Sequence, residues 1–203
     1  MDASRTIIFY LDFISPFSYL VNARLPDIAA RHGAVIDYRP VDVMLAKLGA
    51  GNFAPSTRTL PAKARFIRQD RRYWAEQYGI PMIDPKGTRT LRPNIGVLYA
   101  KDRGRAREYV DAAFLRIRGL GQGTDDDALI ANIASDMRWE PRALLDFVNS
   151  PEALQRFEEG QREAHRLGVF GVPMMIVDDQ MFWGNDRLDF LEEHLAATRQ
   201  PAI

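Results

Sequence analysis

Asp12-Phe13-Ile14-Ser15-Pro16-Phe17-Ser18-Tyr19-Leu20 is the stretch on which the fold turns. It follows an apolar run from Thr6 to Leu11 that reads as a buried strand, closing at Asp12. Pro16 then stands where proline is favoured, in the first position of a helix. Ser15 therefore falls at the helix N-terminus, where orphan N–H groups and the positive end of the dipole stabilise an anion. The plainer reading makes Ser15 a helix cap and nothing more. The chain has no cysteine, so a thiolate at this position has to come from a ligand.

Composition narrows the function classes. The 203 residues suffice for one domain with a sizeable core or one domain carrying a large insertion. Lys plus Arg equals Asp plus Glu, 27 each. That balance gives no reason to expect a nucleic-acid partner or a polybasic membrane surface. The absence of cysteine excludes disulfides, thiolate metal sites and a cysteine nucleophile. His32, His165 and His194 are far apart and show no metal-ligand spacing. The apolar run after Arg5 is too short for a secretory signal, and no segment approaches the roughly 20 apolar residues that span a bilayer. The expected location is the cytoplasm.

Outward from Ser15, Pro16–His32 reads as a helix ending at Gly33, with Pro26 expected to cause a kink or break near Leu25. Ala34–Val41 reads as a second strand, and strand–helix–strand suggests a parallel crossover unit. Residues 43–168 are mostly helical in pattern. Leu60–Tyr78 carries charge on one side and Phe66, Ile67, Tyr73 and Trp74 on the other. Further helices are expected over Pro93–Asp102, Arg105–Arg118, Asp125–Met137 (opened by Thr124), Pro141–Val148 and Pro151–Leu167. Pro173–Val177, a turn at Asp178-Asp179 and Gln180–Trp183 read as a hairpin. A closing helix over Arg187–Ala197 follows. The fold class is therefore α/β, with residues 1–42 and 168–203 forming one sheet unit and 43–167 inserted between them as a helical block.

These motifs together resemble the 2-hydroxychromene-2-carboxylate isomerases, relatives of the kappa-class glutathione transferases in the thioredoxin-like superfamily. The resemblance rests on Asp12–Leu20, then Gly51–Arg58, Trp74–Pro81, Asn94-Ile95-Gly96, Val169–Pro173 and Phe182–Leu188, and so covers nearly the whole chain. Each motif alone is weak; their order gives the signal. Ser15 and Ser18 occupy the slots where thioredoxin-like redox enzymes carry Cys-x-x-Cys.

The resemblance implies glutathione as cofactor, with Ser15 at its sulfur. A hydroxyl donating to a thiolate lowers the thiol pKa, a reason that holds without the family. It also implies a cis Val172–Pro173 bond that presents the Val172 backbone to glutathione as a strand would. Trp183, Gly184, Asn185 and Asp186 match the site for its γ-glutamyl end, where helix-start amides suit the carboxylate and Asp186 suits the ammonium. Lys47, Thr57, Arg58 and Thr88 match positions that contact the organic substrate, an aromatic carboxylate, and Arg118 stands where relatives carry an aromatic. Small threonines at 57 and 88 and a charge at 118 suggest a substrate larger than the naphthalene-derived one. The expected reaction opens a chromene carboxylate to a trans-hydroxybenzylidenepyruvate in aromatic-compound degradation, with no metal. A kappa-like transferase or peroxidase, and a redox-dead binding module, remain open alternatives, as does the oligomeric state, a homodimer included.

Overall fold

A computed structural model of the chain describes residues 5–51 and 60–197. Four strands form one sheet in the order β2-β1-β3-β4. β1 (Thr6–Leu11) and β2 (Val35–Pro40) are parallel, in register from Thr6↔Val35 to Leu11↔Pro40. Between them runs α1 (Pro16–Arg31), the crossover that a parallel pair needs. β3 (Met174–Val177) lies antiparallel to β1 on its other edge, pairing Tyr10 with Met174. β4 (Gln180–Trp183) closes the sheet as a hairpin with β3. The hairpin turn is two residues long, and both Asp178 (φ 49°) and Asp179 (φ 61°) are left-handed. That is the backbone a two-residue turn must adopt to match strand twist, and short polar side chains tolerate it.

All the helices between β2 and β3 come from the middle of the chain. They are α2 (Val43–Gly49), α3 (Pro61–Tyr78), α4 (Leu91–Lys101), α5 (Ala106–Phe114), α6 (Asp127–Asp136), α7 (Pro141–Val148) and α8 (Pro151–Arg166). After β4 a 3₁₀ turn (Asn185–Arg187) leads into α9 (Leu188–Ala197). The sheet unit and the helical block share one core. Phe9, Leu11, Phe13, Leu25 and Leu191 pack in the same cluster as Tyr109, Phe114, Ile117, Leu129 and Ile133. Phe13, directly after Asp12, lies edge-on to Phe114 with ring centroids 4.7 Å apart. Gly96 is required by close approach, since a Cβ there would meet the Tyr109 hydroxyl at 2.0 Å.

Several expectations need correction. α1 runs unbroken through Pro26. Proline inside a helix costs about 3 kcal/mol, and the burial of Leu25, Pro26 and Ile28 on both sides of the break point holds the helix in place. Asp126, not Thr124, caps α6, its Oδ1 accepting from Leu129 N–H at 2.8 Å. Thr124 is buried instead. On the aromatic side of α3, which the sequence left unassigned, Phe66 and Tyr73 are exposed, and Ala75 is the helix's one buried residue. α5 stops at Phe114 and widens into a π turn over Leu115–Gly119, closed by Leu120 N–H to Leu115 C=O. Such widened turns are frequent at functional sites.

Candidate active site

Ser15 is the N-cap of α1, with an extended backbone (φ −83°, ψ 116°). Its Oγ accepts from Ser18 N–H at 3.2 Å, which leaves the hydroxyl proton available to donate outward. Pro16 has no N–H, and Phe17 N–H has no hydrogen-bond partner among the described residues. Ser15 therefore offers an O–H beside a free backbone N–H at the positive end of a 16-residue helix. The Ser18 Oγ is fully buried with no partner.

Beneath this turn lies Asp12, which the sequence places in the motif but to which it assigns no role. Asp12 is buried. Its Oδ1 accepts from Ile14 N–H at 3.1 Å, the Thr90 hydroxyl at 2.5 Å and Asn94 Nδ2 at 3.0 Å; its Oδ2 accepts from Val43 N–H at 3.0 Å. Its carbonyl takes Ser15 N–H at 2.9 Å. Burial pushes the Asp12 carboxyl above its ordinary range, and the donors from Thr90, Val43, Asn94 and Ile14 pull against that. Asn94 also takes Phe13 N–H and donates to the Val41 carbonyl. The loop that carries Ser15 is thus tied to the starts of α2 and α4.

The β1–β3 register carries Val172 and Pro173 to the C-terminal end of β1, next to the loop that leads into Ser15. The Val172–Pro173 bond is cis. Neither Val172 N–H nor its C=O has a backbone partner among the described residues. Pro173 C=O instead accepts from Gly184 N–H at 3.1 Å, which brings the end of β4 alongside. Trp183 is exposed and stands edge-on to Phe170, 5.0 Å between ring centroids. Gly184 adopts φ 105°, a left-handed value that its lack of a Cβ permits. Asn185 is buried with its Nδ2 unpartnered. Asp186 lies exposed beside Arg187, 2.9 Å away. The 3₁₀ turn that contains them packs against α1.

A cleft of about 290 Å³ opens beside Ser15, between its neighbours Ile14 and Pro16 on one side and α3 on the other. Thr88 and Arg118 both line it, so two of the sequence-inferred substrate residues meet next to the Ser15 turn. Arg118 is nearly inaccessible, with Nε 3.4 Å from the Phe13 carbonyl. Lys47, in the last turn of α2, is not part of this lining. Thr57 and Arg58 lie outside the described residues. Arg68, Arg71 and Asp84 complete the polar wall, and sequence reading missed them. The signal was present: Ala64, Ile67, Arg68 and Arg71 follow helical spacing, which places them on one face. Among the described residues no three His, Asp or Glu side chains are grouped to hold a metal ion, and no helix is long and apolar enough to cross a membrane.

A parallel β–α–β start, an antiparallel hairpin finish, a cis-proline beside a helix N-terminus and an inserted helical block define the class. Residues 6–196 match the family model of the DSBA-like thioredoxin domain. The fold is shared with a probable DsbA oxidoreductase from Streptomyces coelicolor, 20% identical with a TM-score of 0.75, over 98% of this chain and 93% of that one. Within that class the chain belongs to the 2-hydroxychromene-2-carboxylate isomerase family. It is 44% identical over 192 residues to the 2-hydroxychromene-2-carboxylate isomerase of Sphingobium xenophagum, covering 95% of this chain and 98% of the relative. A solved 2-hydroxychromene-2-carboxylate isomerase structure superposes with a TM-score of 0.91 at 37% identity, covering 95% of each chain.

Proposed function

We propose that this chain catalyses the glutathione-dependent isomerisation of a 2-hydroxychromene-2-carboxylate-type substrate to the trans-hydroxybenzylidenepyruvate. The observation that carries the reading is a hydroxyl and a free N–H at the start of α1 in a protein with no cysteine. Glutathione, when bound, supplies a thiolate able to add reversibly to a conjugated carbon, which removes the double-bond character that blocks rotation.

The residues present fit that cofactor. Ser15 O–H and Phe17 N–H would donate to the sulfur and favour the thiolate over the thiol. Val172 N–H and C=O would pair with its cysteinyl backbone as a strand edge does. The buried Asn185 Nδ2, which lacks a protein acceptor, would donate to the γ-glutamyl carboxylate, and Asp186 would accept from its ammonium. Ile14, Pro16 and Ile67 would wall the organic substrate, with Thr88 and the arginines facing its polar end. The Arg118 guanidinium, buried and fixed on the Phe13 carbonyl, would hold negative charge developing on the substrate oxygens without reorganising. We place the activity in the cytoplasm, where glutathione is kept reduced.

The test incubates the protein with reduced glutathione and 2-hydroxychromene-2-carboxylate, following isomer ratio and glutathione concentration together. Isomerisation with glutathione unchanged is the expected result. Isomerisation at full rate without glutathione would refute its role, and stoichiometric glutathione consumption would indicate a transferase.

A further inference from the structure

The cleft beside Ser15 holds three guanidinium groups, Arg68, Arg71 and Arg118, against one carboxylate, Asp84. Asp84 Oδ2 accepts from Arg71 Nη2 at 2.6 Å, and its Oδ1 lies 3.9 Å from Arg118 Nη1. Arg68 has no carboxylate partner among the described residues. The exposures differ sharply. The side chain of Arg118 is 3% exposed and that of Arg71 15%, while that of Asp84 is 62% exposed. Arg71 and Arg118 are therefore built into the wall, Arg68 is exposed beside them, and the anion that bridges Arg71 and Arg118 sits at the mouth.

The segment that carries Asp84 is pinned on both sides. Ile83 N–H donates to the Arg118 carbonyl at 2.7 Å, and Lys86 N–H donates to the Gln122 carbonyl at 3.3 Å. The Asp84 backbone is thus fixed at the π turn, whereas its carboxylate can leave Arg71 by a side-chain rotation into solvent. A carboxylate on an incoming ligand would find the same donors in the same place.

We infer that Arg71 with Arg68 and Arg118 is the receptor for the carboxylate of an aromatic acid, and that Asp84 is an internal competitor which that carboxylate must displace. This deepens the proposed function and rests on it for the identity of the acid as substrate. Asp84 then sets affinity and selectivity. It holds the cluster closed against weak anions and gives way to a carboxylate that also places an aromatic ring against Ile14 and Ile67.

The probes are 2-hydroxybenzoate and its neutral counterpart 2-hydroxybenzyl alcohol, titrated calorimetrically into the protein without turnover. The unmodified chain should bind the acid more tightly than the alcohol. Asp84→Asn, which keeps the shape and removes the charge, should tighten the acid by about three- to tenfold, since an exposed ion pair is weak, and leave the alcohol unchanged. Arg71→Met should weaken the acid by a similar factor. Asp84→Ser serves as a second variant with the same expected direction. Weaker or unchanged acid binding in both Asp84 variants would overturn the competitor role, as would a parallel change in the alcohol or no binding of the acid at all. Isomerase activity and glutathione affinity are measured on the same preparations. A chain that binds the acid as described yet isomerises nothing refutes the proposed function alone. A chain that isomerises with no Asp84 effect refutes this inference alone.

Discussion

Replacing Asp12 by Asn tests whether the buried carboxylate holds the Ser15 turn together. An asparagine can keep the three bonds now made by Oδ1, from Ile14 N–H, the Thr90 hydroxyl and Asn94 Nδ2. Its amide nitrogen would fall where Oδ2 now accepts from Val43 N–H at 3.0 Å. Two donors would then face each other. The neighbouring cap oxygen, Asp42 Oδ1, already accepts from Met44 and Leu45 N–H. One orphaned N–H in a buried site costs about 1–3 kcal/mol. For a chain of this size each kcal/mol lowers Tm by about 2–4 °C. The pH dependence adds a sign. Burial raises the Asp12 pKa above its ordinary 3.8, so between those values the native state holds a proton that the unfolded state has released. Its contribution is complete below about 3.8 and is lost as pH rises through the raised native value. The variant lacks that slope, so its deficit should shrink with rising pH. Thermal unfolding of both proteins across that range reads the difference. A deficit that grows with pH would show the ionised carboxylate to be favoured in the fold, and no deficit at any pH would show that Val43 finds another acceptor.

Four further outcomes follow from particular contacts. In the glutathione complex the thiol absorbance should titrate below the roughly 8.5 of a free cysteine-type thiol, and Ser15→Ala should move it up; an unmoved titration would remove Ser15 from that role. Tyr109→Phe should cost about 1–2 kcal/mol in denaturant unfolding, because its hydroxyl donates to the buried Pro93 carbonyl at 3.0 Å. Dialysis against a strong chelator should leave turnover intact, and activity lost and then restored by added metal would refute the metal-free reading. Thr88 is a small wall of the cleft, so kcat/KM should favour a two-ring over a one-ring substrate by roughly 10–200-fold; equal values would end that expectation.

What the sequence made legible was local. Pro16 after a strand placed the helix start, and Ser15 became its cap because a short hydroxyl side chain reaches the third N–H of the helix. Asp178-Asp179 between two short apolar runs placed the hairpin, whose turn is left-handed at both residues. The misreadings were equally local rules overridden by packing. Proline at 26 breaks an isolated helix, but Leu25 and Ile28 are buried around it. Thr124 and Asp126 are both capable caps; the structure uses Asp126 and buries Thr124. What sequence could not supply was coupling across distance. Thr90 and Asn94 are 78 and 82 residues from the carboxylate they bond, and no periodicity connects them. Asp84 and Arg118 join the cleft for the same reason.

That coupling bears on how the helical block relates to the sheet unit. The Ser15 hydroxyl stands at the start of α1, but the groups that fix its loop come from elsewhere: Val43 opens α2, Asn94 lies in α4, and Phe114 and Arg118 flank and form the π turn that packs on Phe13. A helix start alone would present Ser15 with its preceding loop free to move, because α1 orders only residues after the cap. Three bonds to Asp12 and one to the Phe13 carbonyl remove that freedom using residues of the inserted block. The same block supplies α3 and the Asp84–Thr88 wall, so the walls of the cleft and the contacts that hold Ser15 in place belong to one packed unit. Loosening the insertion should therefore damage the Ser15 geometry and the cleft together, which is why the Asp12 substitution, although Asp12 is not itself in the cleft's lining, should change more than stability.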